Sequence, residues 1–161
     1  MSKAAQVKAP WLNSRDPEVP AALTYSELSM CGRVEEMVRR YPDYIAYEFM
    51  GKCTTYAEMW KKINACAKSL KAIGIREGDK ITICMPNAPQ TLCMFYAVNM
   101  VGAIANMVHP LSAESEIAFY LRDSGSVAAI TLDQFYNKFE SVRKAVDLPL
   151  SLIHISEPTR P

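Results

Sequence analysis

His109, Asn87, Cys84 and Cys93 are the side chains whose type and place could do chemistry. His109 precedes Pro110 directly after the apolar run Ala103–Val108, and Asn87 follows the run Lys80–Met85. In an open α/β sheet the residue after a strand is delivered to the ligand-binding edge, so either could sit beside a substrate. The simpler reading makes His109 a turn residue before proline and Asn87 a helix cap. Cys84 and Cys93 have no base nearby in sequence, and a cysteine inside an apolar run behaves as a small hydrophobe. Met85, Met94, Met100 and Met107 could form an adaptable acyl-binding wall, although flexible gap-filling in a core is the commoner use of methionine. Phosphate chemistry needs backbone amides gathered in a tight loop. The six glycines (Gly32, Gly51, Gly74, Gly78, Gly102, Gly125) are far apart and form neither Gly-x-x-x-x-Gly-Lys nor Gly-x-Gly-x-x-Gly. The five cysteines form no CxxC pair and no ligand-like cluster with histidine. No catalytic, cofactor-binding or metal-ligating residue is therefore assigned, and the substrate-binding residues are left open.

The elements that would position these groups follow from spacing. Residues 1–23 carry Pro10, Pro17 and Pro20 without periodicity and read as an extended arm. Leu28, Val34, Met37 and Val38 predict a helix from Tyr25 to Arg40, stopped by Pro42. Ile45, Tyr47 and Phe49 alternate with Ala46 and Glu48, and Met50-Gly51-Lys52 turns them into a return strand at Cys53-Thr54. Thr55 and Glu58 have capping-box spacing ahead of a helix whose inward stripe is Met59, Ile63, Cys66, Ala67, Leu70 and Ile73, with Gly74 as its left-handed cap. The strand Lys80–Met85 leads through Asn87, read as a cap, to a helix over about Ala88–Val101 that is apolar nearly all round. Such a helix needs cover on several sides. The strand Ala103–Val108 follows, then a helix capped by Ser112 with Ile117, Tyr120 and Leu121 facing inward. The strand Val127–Thr131 and a last helix from Asp133, with Phe135, Phe139, Val142 and Val146 inward, complete the series. Helical crossovers of this length between short apolar strands imply a parallel sheet, right-handed connections and helices on both faces. The fold class is α/β: a βαβαβ parallel sheet preceded by an arm and a short β-hairpin.

Composition fits a globular piece, with 50% hydrophobic and 22% charged residues. A net charge of +1 gives no electrostatic reason to expect nucleic acid or an anionic membrane as partner. Residues 1–19 lack the apolar stretch of a signal peptide, and no run reaches membrane-span length, so no transmembrane segment is expected. An odd number of cysteines without a secretion signal points to reduced thiols and a cytoplasmic location. Residues 150–160 (LSLIHISEPTR) resemble the in-frame translation of a transposase adapter used to build sequencing libraries. Residues 150–161 are accordingly set apart as adapter-derived, and His154 with them. Taken as protein, Leu150–Ile155 would be a short strand of poor alternation ended by Glu157-Pro158. The natural sequence is then expected to continue past Pro149, making the chain an N-terminal fragment.

Thr55-Tyr56 opening a helix, L-K-A-I-G-I-R-E-G-D over Leu70–Asp79, Met85-Pro86-Asn87 at a strand end, A-V-N-M-V-G-A over Ala97–Ala103, the Pro110 turn leading to Glu116-Ile117, and Leu121–Ser124 ahead of a strand carry a resemblance. Together they resemble the N-terminal region of the adenylate-forming (AMP-binding) enzymes: acyl-CoA synthetases, aryl-CoA ligases, luciferases and peptide-synthetase adenylation domains. The similarity runs from about Val34 to Ala145 within an incomplete AMP-binding synthetase/ligase domain, residues 24–149. It implies a parent acid–thiol ligase (AMP-forming) that converts a small-molecule carboxylic acid and ATP into an acyl-adenylate and then an acyl-CoA, with a fatty acid as the favoured substrate. ATP, coenzyme A and magnesium are implied for that parent, none of them bound by residues present here. The phosphate loop, the nucleoside contacts and a mobile C-terminal lysine would lie beyond Pro149. By this reading the fragment is inactive alone, and its partner is the remainder of its own chain. A fragment of a peptide-synthetase adenylation domain and a self-contained, non-catalytic α/β binding module are the two alternatives.

Overall fold

The computed structural model describes residues 10–20, 22–146 and 151–155. The first nine residues of the expected arm, residue 21 and the junction at 147–150 lie outside these residues. Within the arm, Pro10–Ser14 form a 3₁₀ turn.

The first helix, α1, is Met30–Arg40, five residues shorter at its start than the spacing suggested. The reason is local: the Ser26 hydroxyl accepts from the Leu28 amide, and Ser29 then caps the helix by accepting from the Gly32 amide at 3.1 Å. Tyr25 and Leu28 are consequently exposed, while Cys31 is the residue α1 buries. Strands β1 (Ile45–Phe49) and β2 (Lys52–Thr55) form an antiparallel hairpin. Its turn places Met50 at φ 50° and Gly51 at φ 76°, the paired left-handed geometry that matches strand twist in two-residue loops.

Helix α2 (Tyr56–Ala72) opens on the expected capping box: the Glu58 amide donates to Thr55 Oγ1, and the Thr55 amide donates to the Glu58 carboxylate. Met59, Ile63, Ala67 and Leu70 are buried. Ile73 is exposed, because the helix has already ended there; Ile75, beyond Gly74, is buried instead. Strand β3 (Lys80–Cys84) leads to α3 (Pro89–Met100). Asn87 does not cap α3. The N-cap is Ala88, with Pro89 in the first turn where a missing N–H costs nothing, and the Thr91 hydroxyl donates to the Pro86 carbonyl at 2.6 Å. The apolar α3 is covered on several sides: it packs on α2 and α1, and the Cys31 thiol donates to the Tyr96 carbonyl.

Strand β4 (Ile104–Met107) is followed by α4 (Glu114–Ser124). Ser112 does not cap α4 either; Ala113 holds that position, and the Glu116 carboxylate accepts from its amide at 3.0 Å. Tyr120 faces out and Ala118 faces in beside Ile117 and Leu121, the i, i+1, i+4 stripe that a helix of this phase presents. Strand β5 (Ala128–Leu132) runs through a 3₁₀ turn at Asp133–Phe135 into α5 (Tyr136–Ala145), which buries Phe139 and Val142.

The strands pair all-parallel in the order β4-β3-β5-β6, with β6 (Ser151–Ile155) drawn from the segment that the sequence reading set aside. The sheet therefore has four strands where three were expected. Physically, β5 is buried throughout and its outer edge offers a row of backbone groups, which a segment of matching length can pair with. Helices α2 and α3 cover one face, where Ile63, Leu70, Ile81, Ile83, Val98 and Ile130 meet. Helices α4 and α5 cover the other, around Cys84, Ile117, Leu121 and Phe139.

Beneath α4 a short polar chain crosses the sheet. Asn106 Nδ2 donates to Thr82 Oγ1 at 3.0 Å, Thr82 and Ser126 share a hydrogen bond of 2.7 Å, and Ser126 and Ser124 one of 2.8 Å. Thr82 and Ser126 are fully buried, so each polar atom depends on these partners.

Candidate functional site

After β3 the chain turns to the face covered by α3; after β5 it turns to the face covered by α5. The two strands are neighbours, so their carboxyl ends diverge and leave a crevice of the kind in which parallel sheets hold ligands. A cleft of about 400 Å³ occupies that position. Asn87 comes to it from the end of β3, His109 from the end of β4, and Gln134 and Phe135 from the turn after β5, with Met85 and Met107 as apolar wall. The two strand-end residues singled out by sequence are thus brought together in one cavity.

His109 is both a turn residue and a cleft residue. Its Nδ1 accepts from the Leu111 amide at 3.2 Å, which places the ring proton of the neutral imidazole on Nε2. The turn that carries it is held by helix α5. Lys138, on α5, donates from Nζ to the Pro110 carbonyl at 3.1 Å and to the Ser112 carbonyl. Sequence reasoning passed over Lys138. The signal was present in the phase of α5: position 138 lies between Phe135 and Val142 on the inward stripe, where a lysine requires acceptors.

The other candidates lie elsewhere. Cys84 is buried under α5, and burial pushes its thiol up to about 11, with the Lys138 ammonium opposing part of the rise. Cys93 is buried between α2 and α3, and its thiol is likewise pushed up to about 11, chiefly by desolvation. Thiols held protonated in this way are poor nucleophiles, and neither lines the cleft. Of the four methionines, Met85 and Met107 share the cleft, whereas Met94 and Met100 pack against the core. His154 stands opposite Thr131 in the β5–β6 register.

The cleft does not fit a nucleoside triphosphate with its divalent ion. Its lining contains no lysine and no carboxylate side chain, and among the described residues no group of three or more His, Cys, Asp or Glu side chains could hold a metal. No helix among the described residues is long and apolar enough to cross a membrane.

The AMP-binding enzyme family matches residues 34–159 of the chain. The chain belongs to that family. Among curated AMP-binding enzymes, a long-chain-fatty-acid–CoA ligase of Bacillus subtilis is 30% identical over 133 residues, which is 83% of this chain and 24% of that protein. A long-chain-fatty-acid–CoA ligase of Mycobacterium tuberculosis is 36% identical over 95 residues, 59% of this chain and 19% of that one. Among solved structures, the N-terminal domain of FACL13 from Mycobacterium tuberculosis superposes with a TM-score of 0.70 at 30% identity, covering 76% of this chain and 32% of that one. The chain spans about a quarter of the length of the curated relatives it matches. Its sheet, and the strand-end cleft with it, is therefore the N-terminal portion of an adenylate-forming architecture.

Proposed function

We propose that the chain is the N-terminal part of an ATP-dependent acyl-CoA synthetase that activates a fatty acid, and that the part described here is inactive alone. The observation that carries this reading is the 30% identity with a long-chain-fatty-acid–CoA ligase along 83% of the chain. The strand-end cleft supports it as a place for a small molecule rather than for chemistry. In this reading ATP, coenzyme A and magnesium are held by residues outside those described, since none of the described groups forms a phosphate cradle or a metal cluster. The remainder of the parent's own chain is then the partner that completes the active site. A cytoplasmic location is supported by the five cysteines, all of them free thiols.

Residues 24–149 form the incomplete synthetase domain on this proposal, and residues 150–161 are adapter-derived. The place of Ser151–Ile155 as β6 is compatible with that origin, because an open strand edge selects for backbone and for every second side chain, here Ile153 and Ile155 against the core. Resequencing the source DNA across the Pro149 codon, from a library made without the transposase, is the first test. A frame that continues into a Ser/Thr/Gly-rich loop with a lysine supports the reading, and ATP–pyrophosphate exchange on the full protein with a fatty acid then tests the activity. A stop codon at that point, or a full-length protein that shows no exchange with any carboxylic acid, refutes it.

A further inference from the structure

We propose that the pocket between the β1–β2 hairpin, α2 and α3 is a covalent-modification site, in which Cys66 adds to a γ-hydroxy-α,β-unsaturated carbonyl compound carrying a hydrocarbon tail. The proposal goes beyond the function above and does not rest on it. The pocket has a volume of about 350 Å³ and shares no lining residue with the strand-end cleft. Lys62 and Cys66 reach it from one turn of α2, Gln90 and Met94 from one turn of α3, and Tyr47 and Phe49 from one side of β1. Of the segment 150–161, Ile155 is the lining residue.

Three observations carry the proposal. First, Cys66 is half-buried where Cys93 is buried, so Cys66 is the thiol that a molecule in the pocket can reach. Burial raises the Cys66 thiol above its ordinary value, so reaction depends on an electrophile being held beside the sulfur. Second, Lys62 is fixed over the pocket: its Nζ donates to the Tyr47 hydroxyl at 3.3 Å and lies 5.9 Å from the centre of that ring. The ammonium keeps further N–H groups for a carbonyl oxygen. Third, the Gln90 side-chain oxygen is buried and accepts no hydrogen bond among the described residues, an acceptor that a ligand hydroxyl would satisfy. Phe49, Pro89 and Met94 supply apolar wall for the tail. In the reaction the sulfur bonds to the β-carbon as its proton leaves to water. The C=C π pair shifts until the carbonyl oxygen carries the charge, where Lys62 stabilises the enolate, and the α-carbon then takes a proton from water. The net change is addition of S–H across the double bond, with no external oxidant or reductant.

The test is peptide mapping by mass spectrometry of the whole chain treated at neutral pH with but-3-en-2-one, non-3-en-2-one or 5-hydroxynon-3-en-2-one. The readout is the rate at Cys66 relative to that at exposed Cys53, a ratio in which the intrinsic reactivity of each reagent cancels. But-3-en-2-one, too short to use the apolar wall, is expected to modify Cys53 first. The hydroxynonenone is expected to reverse the order, with Cys66 favoured about tenfold or more and its rate saturating with concentration. Omitting the hydroxyl should lower that preference about fivefold, the share of one neutral hydrogen bond, and Q90L should erase the difference. K62M is expected to slow Cys66 while leaving Cys53 unchanged, and K62R to retain most of the rate. Nonan-2-one, which has no double bond to react, should protect Cys66 and not Cys53, and denaturing urea should abolish the reversal. Cys53 modified first by all three reagents, a Cys66 rate that does not saturate, equal preference with and without the hydroxyl, or an unaltered Cys66 rate in K62M would each overturn the proposal. The reversal and the protection are read on the unsubstituted chain, so they decide the matter even where a variant fails to fold.

Discussion

Replacing Thr82 by Val tests whether the polar chain under α4 is a structural joint. The substitution keeps the branched shape at the centre of the sheet and removes only the hydroxyl. In the native fold that oxygen accepts from Asn106 Nδ2 and bonds to Ser126. Ser126 retains Ser124 as a partner after the change, so its loss is partial. Asn106 is half-buried and loses its acceptor, with water able to replace part of it. One lost hydrogen bond and one poorly satisfied, half-buried amide together give a cost of about 2 kcal/mol. With a urea slope of about 2 kcal/mol per molar for a chain of this size, the unfolding midpoint should fall by roughly 1 M. Urea unfolding followed by circular dichroism measures this directly. The second half of the cycle is more discriminating. Thr82→Val combined with Asn106→Leu removes both partners, and most of the loss should be recovered, because replacing a whole buried pair by apolar groups leaves no orphan. A single variant within about 0.5 kcal/mol of the native chain, or a double variant whose loss equals the sum of the two singles, would refute the joint.

Gly102→Ala and Gly125→Ala separate backbone strain from crowding. Both glycines have positive φ, 80° and 63°, but a Cβ at Gly102 would lie 2.9 Å from Glu77 Cγ, whereas at Gly125 the nearest atom is 3.9 Å away. Gly125→Ala should cost about 1 kcal/mol and Gly102→Ala about 2 kcal/mol or more by thermal unfolding; equal costs would show that Glu77 simply moves aside. Thr55→Ala removes the hydroxyl arm of the α2 capping box and should cost about 1 kcal/mol, read by the same assay. The buried thiols set an alkaline limit. Cys84 and Cys93 are raised from 9.0 to about 11, so the folded chain keeps protons that the unfolded chain releases, and stability should fall as pH rises from 9 through 11. Cys84→Ala with Cys93→Ala should flatten that slope, and an undiminished slope would assign it to other groups. In alkylation at neutral pH, exposed Cys53 should react well before either of them.

The α/β alternation and parallel pairing could be read in the sequence because each strand is a short apolar run and each crossover has helical phase. The α2 stripe and its capping box were legible for the same reason: both depend on residues within one turn of each other. The failures lay where two local signals competed. Asn87, Ser112 and the Tyr25 start all looked like helix openings by residue type, yet Pro89, Glu116 and Ser29 decided the boundaries through bonds one residue away. Ile73 and Tyr120 followed the period but fell at a helix end and on an outer face. In the cleft, Asn87 and His109 could be placed at strand ends, whereas their meeting depends on strand order, which no local pattern encodes. Lys138 acts on a turn 26 residues earlier in the chain, a contact made only after the sheet is assembled.

The pairing of β3 with β5 also bears on synthesis. Thr131 donates to the carbonyl of Cys84 across 47 residues of chain, and β3 lies at the middle of the sheet between β4 and β5. At elongation rates of about 5–20 residues per second, that separation corresponds to roughly 2–10 s during which β3 has emerged and its second neighbour has not. Ile81 and Ile83, completely buried in the finished fold, spend that interval without half of their cover. A ribosome-bound nascent chain arrested with β3 outside the exit tunnel and β5 still inside it should therefore recruit hydrophobic-segment chaperones at β3, and release them once β5 has cleared the tunnel.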